Sequence, residues 1–123
     1  MLTLDKINNE AILKESVEYL ERSGYKNIKA DLAGYEHPKS YHKVGSDVHL
    51  GPDIEAENNG AKHYFEICIK SDARQQLKSK WKFLATVSKM KDYRFKIITR
   101  RGHFKFTQEM MNEMHLDNHP IRL

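Results

Sequence analysis

The sequence predicts a single α/β domain, a central mixed sheet flanked by helices, with elements in the order αβββαβα. Three observations predict it. Leu13, Val17 and Leu20 repeat at helical spacing, and residues 53–70 alternate as two strands around an Asn-Gly turn. Leu77, Trp81, Leu84 and Val87 then form a second helical stripe. A chain of 123 residues can bury one core and not two, so residues 1–123 form one domain.

The first helix is expected over 5–23, with Ile7 and Ala11 beside the main stripe and Gly24 as its stop. Residues 25–32 suit a strand with Tyr25, Ile28, Ala30 and Leu32 as its apolar members. Residues 33–51 read as a polar loop that carries His37, Pro38, Tyr41, His42, Gly45 and His49, and loops this long are usually functional or mobile. Two strands follow, 53–57 and 62–70, joined by Asn58-Asn59-Gly60-Ala61. A long helix is expected over 72–91, where Asp72 and Gln75 have capping-box spacing. A strand over 93–99 holds Phe95, Ile97 and Ile98 and ends at Arg100-Arg101-Gly102. Phe104 and Phe106 prolong it briefly before a last helix over 107–116.

Composition sets the class. Hydrophobic residues make up 39% and charged residues 31%, a globular rather than disordered balance. No apolar run approaches the roughly eighteen residues a membrane span needs, and the first ten residues lack a secretion signal's pattern. Cys68 is the single cysteine and has no partner for an internal disulfide, which makes a reducing cytoplasm the expected compartment. The net charge of +4 is unevenly spread, because residues 70–105 hold 12 basic and 2 acidic side chains. A block this basic attracts phosphates, although lysines that merely solvate a helix and a strand end give the same count.

The turn allows the register to be calculated. With Asn59 and Gly60 at its centre, Asp53 falls directly opposite Glu66, with Cβ atoms about 4.5–5.5 Å apart on one face. Cys68 and Lys70 lie further along that face, at about 3.3 Å per residue. Two carboxylates this close resist joint ionisation unless a cation compensates, and such oxygen ligands suit Mg²⁺, Mn²⁺ or Ca²⁺. Stray charges on a solvent-facing hairpin would show the same alternation.

Gly51-Pro52-Asp53-Ile54-Glu55-Ala56, a short turn, and Tyr64-Phe65-Glu66-Ile67-Cys68-Ile69-Lys70 together resemble the PD-(D/E)xK phosphodiesterases, a superfamily that includes restriction enzymes and Holliday-junction resolvases. The resemblance spans roughly residues 5–101. It implies a restriction-endonuclease-like fold and cleavage of nucleic acid with Mg²⁺ or Mn²⁺, with Asp53 and a second carboxylate holding the metal. The pattern departs at Cys68, where the family has its carboxylate two residues before the lysine. Either that carboxylate is lost, or Glu66 supplies it and Lys70, about 7 Å further along the strand, reaches back.

The expected site is therefore Asp53, Glu66 and Lys70, with Asp53 and Glu66 as metal ligands. Glu10 is a further candidate, as a helix-borne ligand or as an acid favouring the first turn of its helix. Glu55 shares the strand face of Asp53. Cys68 is a site residue or a small apolar filler. Gln75 and Gln76 are candidates for substrate contact, with Gln75 as cap partner the plainer role. The histidines at 37, 42, 49 and 63 with Cys68 show no zinc-ligand spacing. Arg74, Lys78, Lys82, Arg100 and Arg101 are expected to hold backbone phosphates. The function that follows is metal-dependent nuclease, on DNA before RNA. The alternative is a non-catalytic nucleic-acid- or protein-binding module on the same fold. A homodimer stays open.

Overall fold

The computed structural model describes residues 6–42, 49–116 and 119–123. Asp5, the expected helix start, and Gly45 of the long loop lie outside the described residues. Among the described residues the architecture is α+β, with three helices and a five-stranded mixed sheet. Helix α1 (Lys6–Arg22) buries Ile12, Leu13, Val17 and Leu20. Ser16 on the same face donates its hydroxyl proton to the Ile12 carbonyl at 2.7 Å, which removes the cost of burying it.

Strand β1 (Lys26–Ala30) runs antiparallel to β4 (Ile54–Asn58), which runs antiparallel to β5 (Ala61–Ile67). Two short strands, β2 (Tyr41–His42) and β3 (His49–Leu50), pair with each other apart from this sheet. The β4–β5 register pairs Ile54 with Phe65 and Asn58 with Ala61, as calculated from the turn. Asn59 and Gly60 take φ of 53° and 79°, the left-handed pair that a two-residue hairpin of matching twist requires. Helix α2 (Arg74–Lys91) then crosses to β6 (Arg94–Thr99), which lies parallel to β5. Helix α3 (Phe104–Glu113) leads to β7 (Ile121–Arg122) at the sheet edge, parallel to β6.

The sheet separates two apolar clusters. Ala30, Ile54, Ala56, Phe65, Ile67 and Ile98 pack with α1 on one face. Tyr64, Cys68, Phe95 and Ile97 pack with Leu77, Trp81 and Leu84 of α2 and Phe106, Met110 and Met111 of α3 on the other. Period-two alternation along β5 sends Phe65 and Ile67 to the first face, and Tyr64, Glu66 and Cys68 to the second.

Four local expectations are corrected. Strand β5 stops at Ile67: the Cys68 N–H still donates to the Ile98 carbonyl at 2.8 Å, but the Lys70 N–H turns to His103 Nδ1 at 2.9 Å. The Asp72–Gln75 capping box does not form, because Ala73 is the N-cap and its N–H donates to Ser71 Oγ at 3.0 Å. Phe104 and Phe106 belong to α3 rather than to a strand, since burial of Phe106, Thr107, Met110 and Met111 follows helical spacing. Val87 is only half-buried, and Ser88 closes the α2 stripe in its place. Among the described residues, no helix is long and apolar enough to cross a membrane.

Candidate functional site

Asp53 enters just before β4 and is held at both ends. Its N–H donates to the Phe65 carbonyl at 3.0 Å, and its Oδ2 accepts the Ile67 N–H at 2.9 Å. That geometry brings Asp53 beside Glu66 on the α2 side of the sheet. A lysine from α2 completes the group: Lys80 Nζ is 3.0 Å from Glu66 Oε2 and 3.8 Å from Asp53 Oδ1. Asp53 and Lys80 line a cleft of about 540 Å³, and Glu66 lies behind them, 1% exposed.

The electrostatics follow from burial. Loss of water pushes the Glu66 carboxyl well above the ordinary glutamate range, the Asp53 charge pushes it further, and Lys80 opposes both. Burial alone would lower the Lys80 pKa, but Asp53 and Glu66 together outweigh it and hold the ammonium firmly charged. Lys80 compensates one of the two carboxyl groups, and the raised Glu66 pKa favours a proton, or another cation in its place, on the other. Among the described residues, Glu66 Oε1 is buried without a hydrogen-bond partner, while Oε2 meets Lys80 as an ion pair.

An orphaned carboxylate oxygen next to a second carboxylate is a hard-donor pair. No third His, Cys, Asp or Glu joins it among the described residues. Mg²⁺ is commonly held by one or two carboxylates while its other positions stay with water or phosphate, so these residues fit it.

The other wall of the cleft is the segment from His37 to Ser40. Gly51 fixes it, because a Cβ there would lie 2.2 Å from the Lys39 carbonyl oxygen. Glu55 fixes it from beneath: the carboxylate is buried, Oε1 accepts the Lys39 N–H, and Oε2 is 3.9 Å from Lys62 Nζ. At the rim, His37 Nδ1 is hydrogen-bonded to Asp31 Oδ1.

The remaining expected residues fall elsewhere. Lys70 is exposed beyond the end of β5 and borders a separate shallow pocket with Ser71, Asp72, Arg74 and Phe106, so the structure does not bring it to the carboxylates. Glu10 is exposed on α1, past its first turn. Cys68 is buried among the α2 and α3 side chains, and burial pushes its thiol up to about 11. Gln75 is exposed, whereas Gln76 lines the cleft. Arg74 lies 2.6 Å from Glu113 and 4.0 Å from Glu109, Lys78 lies 3.3 Å from Glu113, and Arg100 lies 3.8 Å from Glu15. Three of the five expected phosphate-binding residues are therefore already paired with acids, while Lys82 and Arg101 stay exposed. His63 is buried against Tyr25 and Phe65, and burial lowers its pKa.

Lys80 is the member of this candidate site that the sequence reading passed over. It does carry a signal: it stands three residues after Leu77 and four before Leu84, at the margin of the buried stripe, and four after Gln76. No family model, curated protein or solved structure matches the chain.

Proposed function

We propose that this chain is a metal-dependent phosphodiesterase of the restriction-endonuclease-like type, acting on nucleic acid, with DNA the first substrate to test. The observation that carries the reading is the buried Glu66 carboxylate, one oxygen unpartnered, between Asp53 and Lys80 at the back of a cleft. Burying an ion costs several kcal/mol even after pairing, and an apolar replacement is often more stable, so stability alone does not explain this group. The PD-(D/E)xK resemblance supplies the reaction class, and Lys80 takes the part expected of Lys70.

Asp53 and Glu66 would hold Mg²⁺ or Mn²⁺, which when bound supplies Lewis acidity and lowers the pKa of water. Asp53, fixed through the Ile67 N–H, keeps Oδ1 turned toward the same space as Lys80. Lys80 stays protonated in the cleft, where its ammonium stabilises charge building on a phosphate oxygen. Gln76 and the His37–Ser40 wall confine the substrate and exclude water.

One observation favours the non-catalytic alternative: Lys80 already compensates part of the charge of both carboxylates. Single-turnover cleavage of DNA with Mn²⁺ separates the two. The nuclease reading expects cleavage by the native protein and at least a hundredfold loss in both Asp53→Asn and Glu66→Gln. Absence of cleavage on duplex, single-stranded and branched DNA would favour the binding module.

A further inference from the structure

Beside the cleft, three lysines from three different elements converge on two tyrosine rings. Lys39 Nζ lies 5.5 Å from the centre of the Tyr41 ring, and Lys91 Nζ lies 5.6 Å from the same ring. Lys91 also lies 5.9 Å from the Tyr93 ring, which Lys62 approaches at 5.3 Å. The rings are braced from below. Tyr41 and the buried Tyr64 share a 2.7 Å hydrogen bond between hydroxyls, Tyr41 stands edge-on to Phe83, and Tyr93 stands edge-on to Tyr64.

The cations of this platform are poorly paired: Lys39 and Lys91 form no ion pair among the described residues. Among the described residues the acid within ion-pair distance of these three ammonium groups is Glu55, buried, with one oxygen taken by the Lys39 N–H and the other 3.9 Å from Lys62; Glu57 stands across the hairpin from Lys62 and Asp92 follows Lys91, and neither forms an ion pair with them. The far end of α2 shows what balance looks like, since Arg74 and Lys78 there face Glu109 and Glu113. The helix dipole favours a lysine such as Lys91 in the last turn of α2. It does not explain why Lys39, from the loop before β2, and Lys62, from β5, are gathered to the same place. Cation–π contact compensates an ammonium only partly, and like charges crowded on shared rings are relieved by an anion.

We infer that Lys39, Lys62 and Lys91, set around Tyr41 and Tyr93, form a binding site for the phosphodiester backbone of nucleic acid flanking the cleft. Lys39 belongs to both the cleft wall and the platform, so a strand leaving Asp53 and Lys80 passes directly onto it. The identity of the ligand rests on the nucleic-acid reading above. The site replaces the expected array of Arg74, Lys78 and Arg100 as the main source of phosphate contacts.

The test is the salt dependence of DNA binding by the intact protein in EDTA, where no cleavage intervenes, using fluorescently labelled single-stranded and duplex oligonucleotides. Each phosphate contact contributes roughly 0.7 to 0.9 to the slope of log K against log salt. Lys62→Ala with Lys91→Ala should lower that slope by about 1.5 and weaken binding without regard to base sequence. The arginine pair, Lys62→Arg with Lys91→Arg, should restore it, which rules out misfolding as the cause. Arg74→Ala with Lys78→Ala should leave the slope unchanged. An unchanged slope in the Lys62/Lys91 alanine pair, or no DNA binding by the native protein at low salt, would overturn the site. Cleavage by a native protein whose slope ignores Lys62 and Lys91 would remove the site and leave the nuclease reading standing. Binding that depends on these lysines without any cleavage would do the reverse.

Discussion

Lys80 and Glu66 face each other across the interface between α2 and β5, with Nζ 3.0 Å from Oε2 and both groups largely out of water. The pair joins a helix to the centre of the sheet where an apolar contact would have served packing better. Its removal from either side should therefore have different consequences.

Lys80→Met leaves two adjacent carboxylates in a dry site without their cation. Breaking a buried pair in this way costs about 3–5 kcal/mol. In urea denaturation near neutral pH we expect a loss of about 3 kcal/mol that shrinks as the pH falls and a proton takes the place of the ammonium. A loss of the same size at pH 5 and pH 8 would contradict the electrostatic role.

Glu66→Gln should behave in the opposite sense. The folded pKa of Glu66 is raised, so its favourable contribution is complete below the unfolded value near 4.5 and is lost as the pH rises through the folded value. The glutamine variant escapes that loss. Without metal, its stability relative to the native protein should improve as the pH increases above 4.5, ending between equal and about 2 kcal/mol more stable. A variant that becomes relatively weaker with rising pH would show that ionised Glu66 stabilises the fold.

Gly51→Ala tests how the cleft wall is held. The added methyl would overlap the Lys39 carbonyl oxygen, so the 37–40 segment must move away. Overpacking of this kind costs about 1–3 kcal/mol, measurable as a fall in thermal midpoint, and cleavage should fall by a larger factor than stability alone explains. Unchanged melting and activity would mean that the segment yields freely.

The two lysines should separate cleanly in kinetics. Lys80→Ala should lower single-turnover cleavage by at least a hundredfold, whereas Lys70→Ala, on an exposed residue facing another pocket, should change it less than threefold. The reverse ranking would return the catalytic role to Lys70.

The parts legible in the sequence were those set by local chemistry. The Asn59-Gly60 turn dictates the β4–β5 register as far as Ile54 opposite Phe65, and Asp53 and Glu66 come together just past the end of that pairing, where the Asp53 N–H and side chain bond to Phe65 and Ile67. The α1 and α2 stripes follow from periodicity. What escaped depends on contacts between distant segments. Alternation continues through Cys68 and Lys70, but the chain leaves β6 after Cys68, and no local signal marks that exit. Phe104 and Phe106 alternate like a strand, yet the burial of Met110 and Met111 makes the segment a helix. Arg74 and Lys78 look like free cations until α3 brings Glu109 and Glu113 against them. Lys80 resembles its solvated neighbours on α2 and differs only in standing at the edge of the buried stripe.

Calorimetric titration of Mn²⁺ into the native protein and Glu66→Gln near neutral pH tests the central claim most directly. Native protein should bind Mn²⁺ at the Asp53–Glu66 pair and release a proton in doing so, because the raised Glu66 pKa makes the metal compete with it. Glu66→Gln, which keeps the shape and loses the charge, should weaken binding at least tenfold and abolish the proton release. Equal Mn²⁺ affinity in both proteins, or none in the native one, would contradict a metal site at Asp53 and Glu66.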